Sequence, residues 1–140
     1  METTFRFHSD DVGKLILRLT VAGLMLFHGI SKVIHGIAWL PPLLNHDGLP
    51  GFIAYGVYVG EVLAPLLLIA GWQTRLASLV IAFDMIMAVA LAHSSGIFSL
   101  RAGSGAWSIE IEAFYFLAAL AVFFFGAGKY SISKGQGKWD

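Results

Sequence analysis

An all-α integral membrane fold, four helices bundled across a bilayer, is what three features of this 140-residue sequence predict. Hydrophobic residues make up 57% of the chain and charged residues only 13%. The mean hydropathy is +0.75. The apolar residues collect in four runs of about 20 residues, each long enough to cross a hydrocarbon core of roughly 30 Å, instead of alternating or striping as in a water-soluble domain of about 25% charge.

Nine basic residues balance nine acidic ones. That neutrality argues against nucleic acid as a partner, and no block of like charge marks an acidic or basic tail. Cysteine is absent, which excludes disulfides, thiolate metal sites and thiol redox chemistry by this chain. Any redox role therefore needs a bound cofactor or a partner protein.

Residues 1–12 are short and polar and lack the pattern of a removable signal peptide, so the first helix is read as retained. Span one covers about residues 12–34, with Gly23 and Gly29 allowing neighbouring helices to approach. Residues 37–51 contain Pro41, Pro42, Gly48 and Pro50 and are predicted to be a surface loop, with Trp39 suited to the interface. Span two, about 52–72, carries Glu61 near its centre and Pro65 one turn later. Proline cannot donate to the carbonyl four residues back, so a kink and an unpaired acceptor are expected at Glu61. Span three covers about 75–93 with Asp84 at mid-depth, and residues 94–106 form a loop rich in glycine and serine. Span four, about 107–125, starts with Glu110 and Glu112 and is the most aromatic; a polar, basic tail follows.

Four spans put both termini on one side. That side, with the 73–75 turn, holds Arg6, Lys14, Arg75, Lys129, Lys134 and Lys138, against Lys32 and Arg101 on the other. The positive-inside bias then makes the termini cytoplasmic. The whole chain reads as one domain.

Charges at bilayer depth cost about 2.5 to 3.5 kcal/mol each on insertion scales, so they turn inward and find partners. At 100° per residue Arg18, Met25 and Lys32 share one face of span one, with His28 and His35 at its edge. On span four Glu110 and Glu112 point apart, and the deeper Glu112 is expected to face in. Asp84 and His93 lie about half a turn out of phase, and His93, at a helix end, can turn either way. The economical pairing sets Arg18 against Glu61, or Asp84, and Lys32 against Glu112, with His28 or His93 nearby. With two permanent bases facing three or four acids, at least one carboxyl is expected to be neutral, as a proton relay or a polar small-molecule site would use.

Blander readings accompany each residue. Arg18 with Glu61 serves equally as an ion pair fixing helix register. Lys32 can snorkel to the interface. His28 can be a packing residue and His93 a solvated one, while Glu110 reads as a wet interfacial acid. The aromatics Phe114, Tyr115, Phe116 and Phe123 to Phe125 read first as lipid-facing or packing side chains.

The sequence resembles the DoxX family of small four-helix bacterial membrane proteins along nearly its whole length. The resemblance rests on LxLRLxxAxLxLxHGxxKV at 15–33, GLPGF at 48–52, GEVLAPLLLIAGWQTRLASL at 60–79, AH at 92–93, EAFYFLAALA at 112–121 and GAGKYSIS at 126–133. Arg18, Gly29, Lys32, Glu61, Gly71, Thr74, Arg75 and Glu112 fall on its recurring positions; Asp84 and Glu110 depart from its apolar pattern. The resemblance implies a multi-pass protein of the bacterial plasma (inner) membrane and makes quinone-linked electron transfer the leading function, with no assigned reaction. A quinone site built from Arg18, His28, Lys32, Glu61, His93 and Glu112, served by a redox partner protein, is the resulting expectation. A non-catalytic scaffold or assembly subunit with structural ion pairs is the alternative. A b-type haem between His28 and His93 ranks below both, no metal site is expected, and a transporter would need more than four helices unless the protein dimerises, for which Gly56 and Gly60 offer small-residue positions.

Overall fold

The computed structural model describes residues 9–93 and 95–140. Arg6, counted above in the charge bias, lies outside the described residues. Five helices make up the described chain: α1 (Ser9–His35), α2 (Leu40–His46), α3 (Gly51–Ala70), α4 (Thr74–Ala92) and α5 (Glu110–Phe125). No strand forms among the described residues; Leu100 and Trp107 make one isolated antiparallel bridge.

Asp10–His35, Gly51–Ala70 and Thr74–Ala92 are each long and apolar enough to cross a membrane. The fourth apolar run becomes helical only at Glu110, three residues later than expected. Its 16 residues rise about 24 Å at 1.5 Å each. The reason is local. Trp107 and Ser108 are spent on a hairpin-like loop, in which Arg101 N donates to Ala106 O at 2.7 Å and Ser108 N to Ser99 O at 3.0 Å.

α4 and α5 pack along each other most extensively, and α1 lies against α3 and α5. Their shared core is made of Val21, Ala22 and Met25 from α1, Ala64 and Leu68 from α3, Ala77, Ile81, Ala82 and Met85 from α4, and Tyr115, Ala119 and Val122 from α5. The alanines matter because lipid offers no hydrophobic drive to join helices, so close backbone approach and dispersion must supply it. The large apolar side chains point outward instead. Ile16, Phe27, Phe83, Phe114, Leu117 and Phe124 are all exposed, as expected of a surface solvated by acyl chains.

Residues 37–51 are not a plain loop. Pro41 and Pro42 occupy the first turn of α2, where a missing N–H costs nothing and the fixed φ favours helix. The expectation of a loop throughout residues 37–51 is therefore corrected. Leu40 and Leu44 of α2 are buried with Ile37 and Ala54 in a second apolar cluster above the main core.

α3 is irregular before Pro65. A 3-10 stretch covers Gly51–Tyr55 and a π-turn covers Val59–Leu63, with regular helix resuming at Ala64. The π-turn absorbs the hydrogen bond that Pro65 cannot make, and such turns recur at functional sites. It coincides with the closest approach of two helices. A Cβ added at Gly29 would overlap the Glu61 carbonyl and Val62 Cγ2.

Residues 126–140 fold back across the helix ends. Ile132 N donates to Ala70 O at 3.0 Å, Lys129 N to Asp11 Oδ1 at 3.0 Å, and Thr74 N to Asp140 Oδ1 at 3.0 Å. The Asp140 side chain thereby satisfies an amide at the start of α4, which has no other side-chain cap. The polar tail is a strap joining α1, α3 and α4.

Gly29→Ala and Gly23→Ala, on the same helix α1, should behave oppositely. Gly29→Ala should lower thermal stability in detergent, by about 1–3 kcal/mol, as overpacking does. Gly23→Ala has open space around the added Cβ and should be neutral or stabilising by up to about 1 kcal/mol.

Candidate functional site

A cavity of about 460 Å³ opens between α2, α3 and α4 at the Lys32 end of the molecule. Its size falls within the roughly 300–1,000 Å³ of small-molecule pockets. Most of its wall is apolar, from Leu40 and Leu43 of α2, Val57 of α3 and Val80, Phe83 and Met87 of α4. Five ionisable side chains break that wall: Lys32, Glu61, Asp84, His93 and Glu112.

Lys32 and Glu61 form the tightest contact. Lys32 Nζ donates to Glu61 Oε1 at 2.7 Å and to Oε2 at 2.5 Å. Glu61 is buried and Lys32 largely so, with side-chain exposures of 8% and 21%. Two partners between three ammonium protons and two carboxylate oxygens leave one N–H of Lys32 unspent. Tyr58 Oη donates to the Lys32 carbonyl at 3.3 Å, tying the end of α1 to the irregular part of α3.

The expected pairings are thus corrected. Glu61 pairs with Lys32 and not with Arg18, and Lys32 neither snorkels nor reaches Glu112. The irregular turn around Glu61 and the close approach at Gly29 decide this, because they bring Glu61 opposite the last turns of α1.

Arg18 stands at the other end, fully buried and outside the cavity. Nη1 donates to Ala127 O at 2.5 Å and Nη2 to Tyr130 O at 2.7 Å. Gly71 makes room for it. A side chain there would strike the guanidinium and Ser131, and its φ of +69° closes α3 in a left-handed cap. Arg18 is therefore a clamp on the strap, where a site residue was expected. The motif GAGKYSIS held the signal, since a polar, glycine-punctuated segment just beyond a helix offers free carbonyls.

His28 also leaves the site. It is on the exposed side of α1, its ring edge against Tyr115 with centroids 6.1 Å apart. It does not share a cavity with His93. His93 and Glu112 do meet, with Nδ1 3.9 Å from Oε1. Asp84 and His93, expected to face opposite ways, both line the cavity because His93 follows the last helical residue and its backbone, at φ −130°, leaves the helical path. Glu112 faces in and Glu110 is exposed, as their opposed directions on α5 predict.

Asp84 lies against Gly60, where an added Cβ would come within 2.7 Å of its Cγ. Gly60 therefore serves packing inside the chain and is withdrawn from any self-association face. Asp84 Oδ2, His93 Nδ1 and Glu112 Oε2 are buried with no hydrogen-bond partner among the described residues. Such orphaned groups are costly, more so in a site lined by apolar walls, and they point at unspent hydrogen-bonding capacity. The aromatics of α5 do not line the cavity; Trp39 and Phe83 do. The described residues hold no group of three or more His, Cys, Asp and Glu placed for a metal ion.

Contact across the Lys32–Glu61 pair can be separated from mere proximity. Lys32→Met should cost about 3 kcal/mol or more, because it strands a buried carboxylate. Lys32→Met/Glu61→Gln should recover most of that loss in thermal unfolding, whereas Arg18→Gln/Glu61→Gln should be additive. Coupling between Arg18 and Glu61 would contradict the geometry.

Comparison with known proteins gives a consistent result. A family model described as DoxX matches residues 13–94, more than half of the chain. A protein of Bacillus subtilis (strain 168) named "Putative oxidoreductase CatD" is 30% identical over 81 residues. That alignment covers 58% of this chain and 60% of the relative's length. No solved structure matches. The matched region contains Arg18, Gly29, Lys32, Glu61, Asp84 and His93 and ends before Glu112, and on its extent this multi-pass membrane protein belongs to the DoxX family.

Proposed function

We propose that this chain is the membrane subunit of a quinone-linked oxidoreductase and that the cavity beside Lys32 and Glu61 receives a quinone head group. The observation that carries the reading is the composition of that cavity: an apolar wall interrupted at one end by five ionisable groups, three of which have buried, unspent polar atoms. The oxidoreductase name of the Bacillus subtilis relative supports the same class. In this reading α5 is a fourth span, the four helices form one bundle in the bacterial plasma membrane, and the cation-rich strap with both termini faces the cytoplasm.

A quinone supplies two-electron, two-proton redox chemistry when bound. Its ring oxygens are acceptors, so the chain must donate. Lys32 keeps one N–H after serving both oxygens of Glu61, and His93 Nδ1 is unspent. Asp84, with no cation bonded to it, is placed to hold and release a proton at Oδ2, and Glu112 beside His93 can do the same at Oε2. Leu40, Leu43, Phe83 and Met87 cover the ring and keep water out. In this reading the chain, which has no cysteine to carry electrons itself, exchanges them with a redox partner protein. Haem is not part of this reading.

Titration of the purified protein in detergent with a short-chain ubiquinone or menaquinone analogue tests it. Saturable binding is expected, weakened at least tenfold in Glu61→Gln and in Asp84→Asn and unchanged in Arg18→Gln. Binding that never saturates, or that ignores Glu61 and Asp84 in folded variants, would leave the scaffold reading, in which the Lys32–Glu61 pair only holds α1 to α3.

A further inference from the structure

A second recess, of about 230 Å³, lies at the opposite end of the molecule under the strap. It is lined by four cationic side chains, Lys14, Arg75, Lys129 and Lys134, and two carboxylates, Asp11 and Asp140. Both carboxylates are already engaged by backbone amides: Asp11 Oδ1 accepts from Lys129 N, and Asp140 Oδ1 from Thr74 N. The cations are less satisfied. Among the described residues none of the three lysine ammoniums has a hydrogen-bond or ion-pair partner, and Arg75 spends only Nε, on the main-chain oxygen of Asp140 at 3.2 Å. The two carboxylates offset only two of the four positive charges, so the recess keeps an excess of cations that a further anion would balance. The strap passes through left-handed turns at Gly128 and, against ordinary preference, at Lys134 (φ +55°).

The recess also has a buried cation behind it. Ala127, which lines the recess, has its carbonyl held by the fully buried Arg18 guanidinium, for which the described residues provide no carboxylate. The positive potential is therefore deeper than the surface lysines alone.

Its position selects the anion's source. Lys14 lies in the second turn of α1 and Phe125 at the last residue of α5, so the recess sits where spanning helices leave the hydrocarbon and lipid phosphates lie. Phe125 lines the recess while remaining more than half exposed, and Phe124 at the same end of α5 and Val12 and Ile16 in the first turns of α1 are exposed as well. A phosphate seated among the lysines would have its acyl chains against these side chains.

We propose that this recess binds the phosphate of an anionic phospholipid, and that the bound lipid fastens the strap to α1 and α4. Basic pockets between spanning helices are a recurring form of such recognition.

Native mass spectrometry of the full chain with phosphatidylglycerol or phosphatidylcholine at equal concentration tests the proposal. Phosphatidylglycerol should be retained at least tenfold more than phosphatidylcholine. Lys14→Gln/Lys129→Gln/Lys134→Gln should lose that preference with helical circular dichroism unchanged, while Lys138→Gln, on the same strap but outside the recess, should keep it. If the triple variant does not fold, Lys129→Gln and Lys134→Gln singly should each reduce the preference severalfold, since both side chains are exposed. An undiminished preference in these variants would overturn the site. Full displacement of phosphatidylglycerol by millimolar inorganic phosphate would overturn the lipid assignment in favour of a free-anion site.

Discussion

Lys32 and Glu61 hold a full charge pair within an apolar helical assembly, and much of the architecture follows from the need to keep that pair together and out of lipid. Neither side chain reaches the other unless α1 and α3 nearly touch. Gly29 removes the one side chain that would prevent it, and the π-turn before Pro65 turns Glu61 toward α1. A break in helix regularity, which would be a liability in lipid, is tolerated because it faces protein and a cavity.

The same economy appears at the other end with a different solution. Among the described residues Arg18 meets no carboxylate and is held by carbonyls of the strap, so the chain beyond α5 completes the burial of a charge introduced more than a hundred residues earlier. The two ends do different work. The Lys32 end keeps polar atoms unspent beside an apolar cavity, as binding needs, and the Arg18 end uses both terminal guanidinium nitrogens to hold the fold closed. In that division Arg18 is a structural residue, and the candidate site contracts to Lys32, Glu61, Asp84, His93 and Glu112.

Asp84 gains most from the structure. The resemblance implies an apolar residue at its place on α4, yet Asp84 lies against Gly60 and shares the cavity with Glu61. Side chains of α2, a helix hidden behind two prolines, complete the apolar wall above it. Cavity and cation together give this chain a site whose polarity is graded from an ion pair through lone carboxyls to bare hydrocarbon, which is the gradient an amphipathic ring with a greasy tail requires.

Length and hydropathy were enough to read helices, membrane residence and the inward face of α1, because the cost of exposed backbone and charge in lipid is local and large. Arg18, Met25 and Lys32 had to face protein wherever the neighbours stood. The choice of Glu112 over Glu110 was readable for the same reason. Partners were not readable, because two bases and several acids satisfy the same inward rule in more than one combination. Gly29, the π-turn and the returning strap chose among them, and each acts through contacts between segments far apart in the chain. A helix starting at two prolines and a polar tail that supplies carbonyls to a buried arginine look like ordinary loop and terminus until packing gives them something to cover.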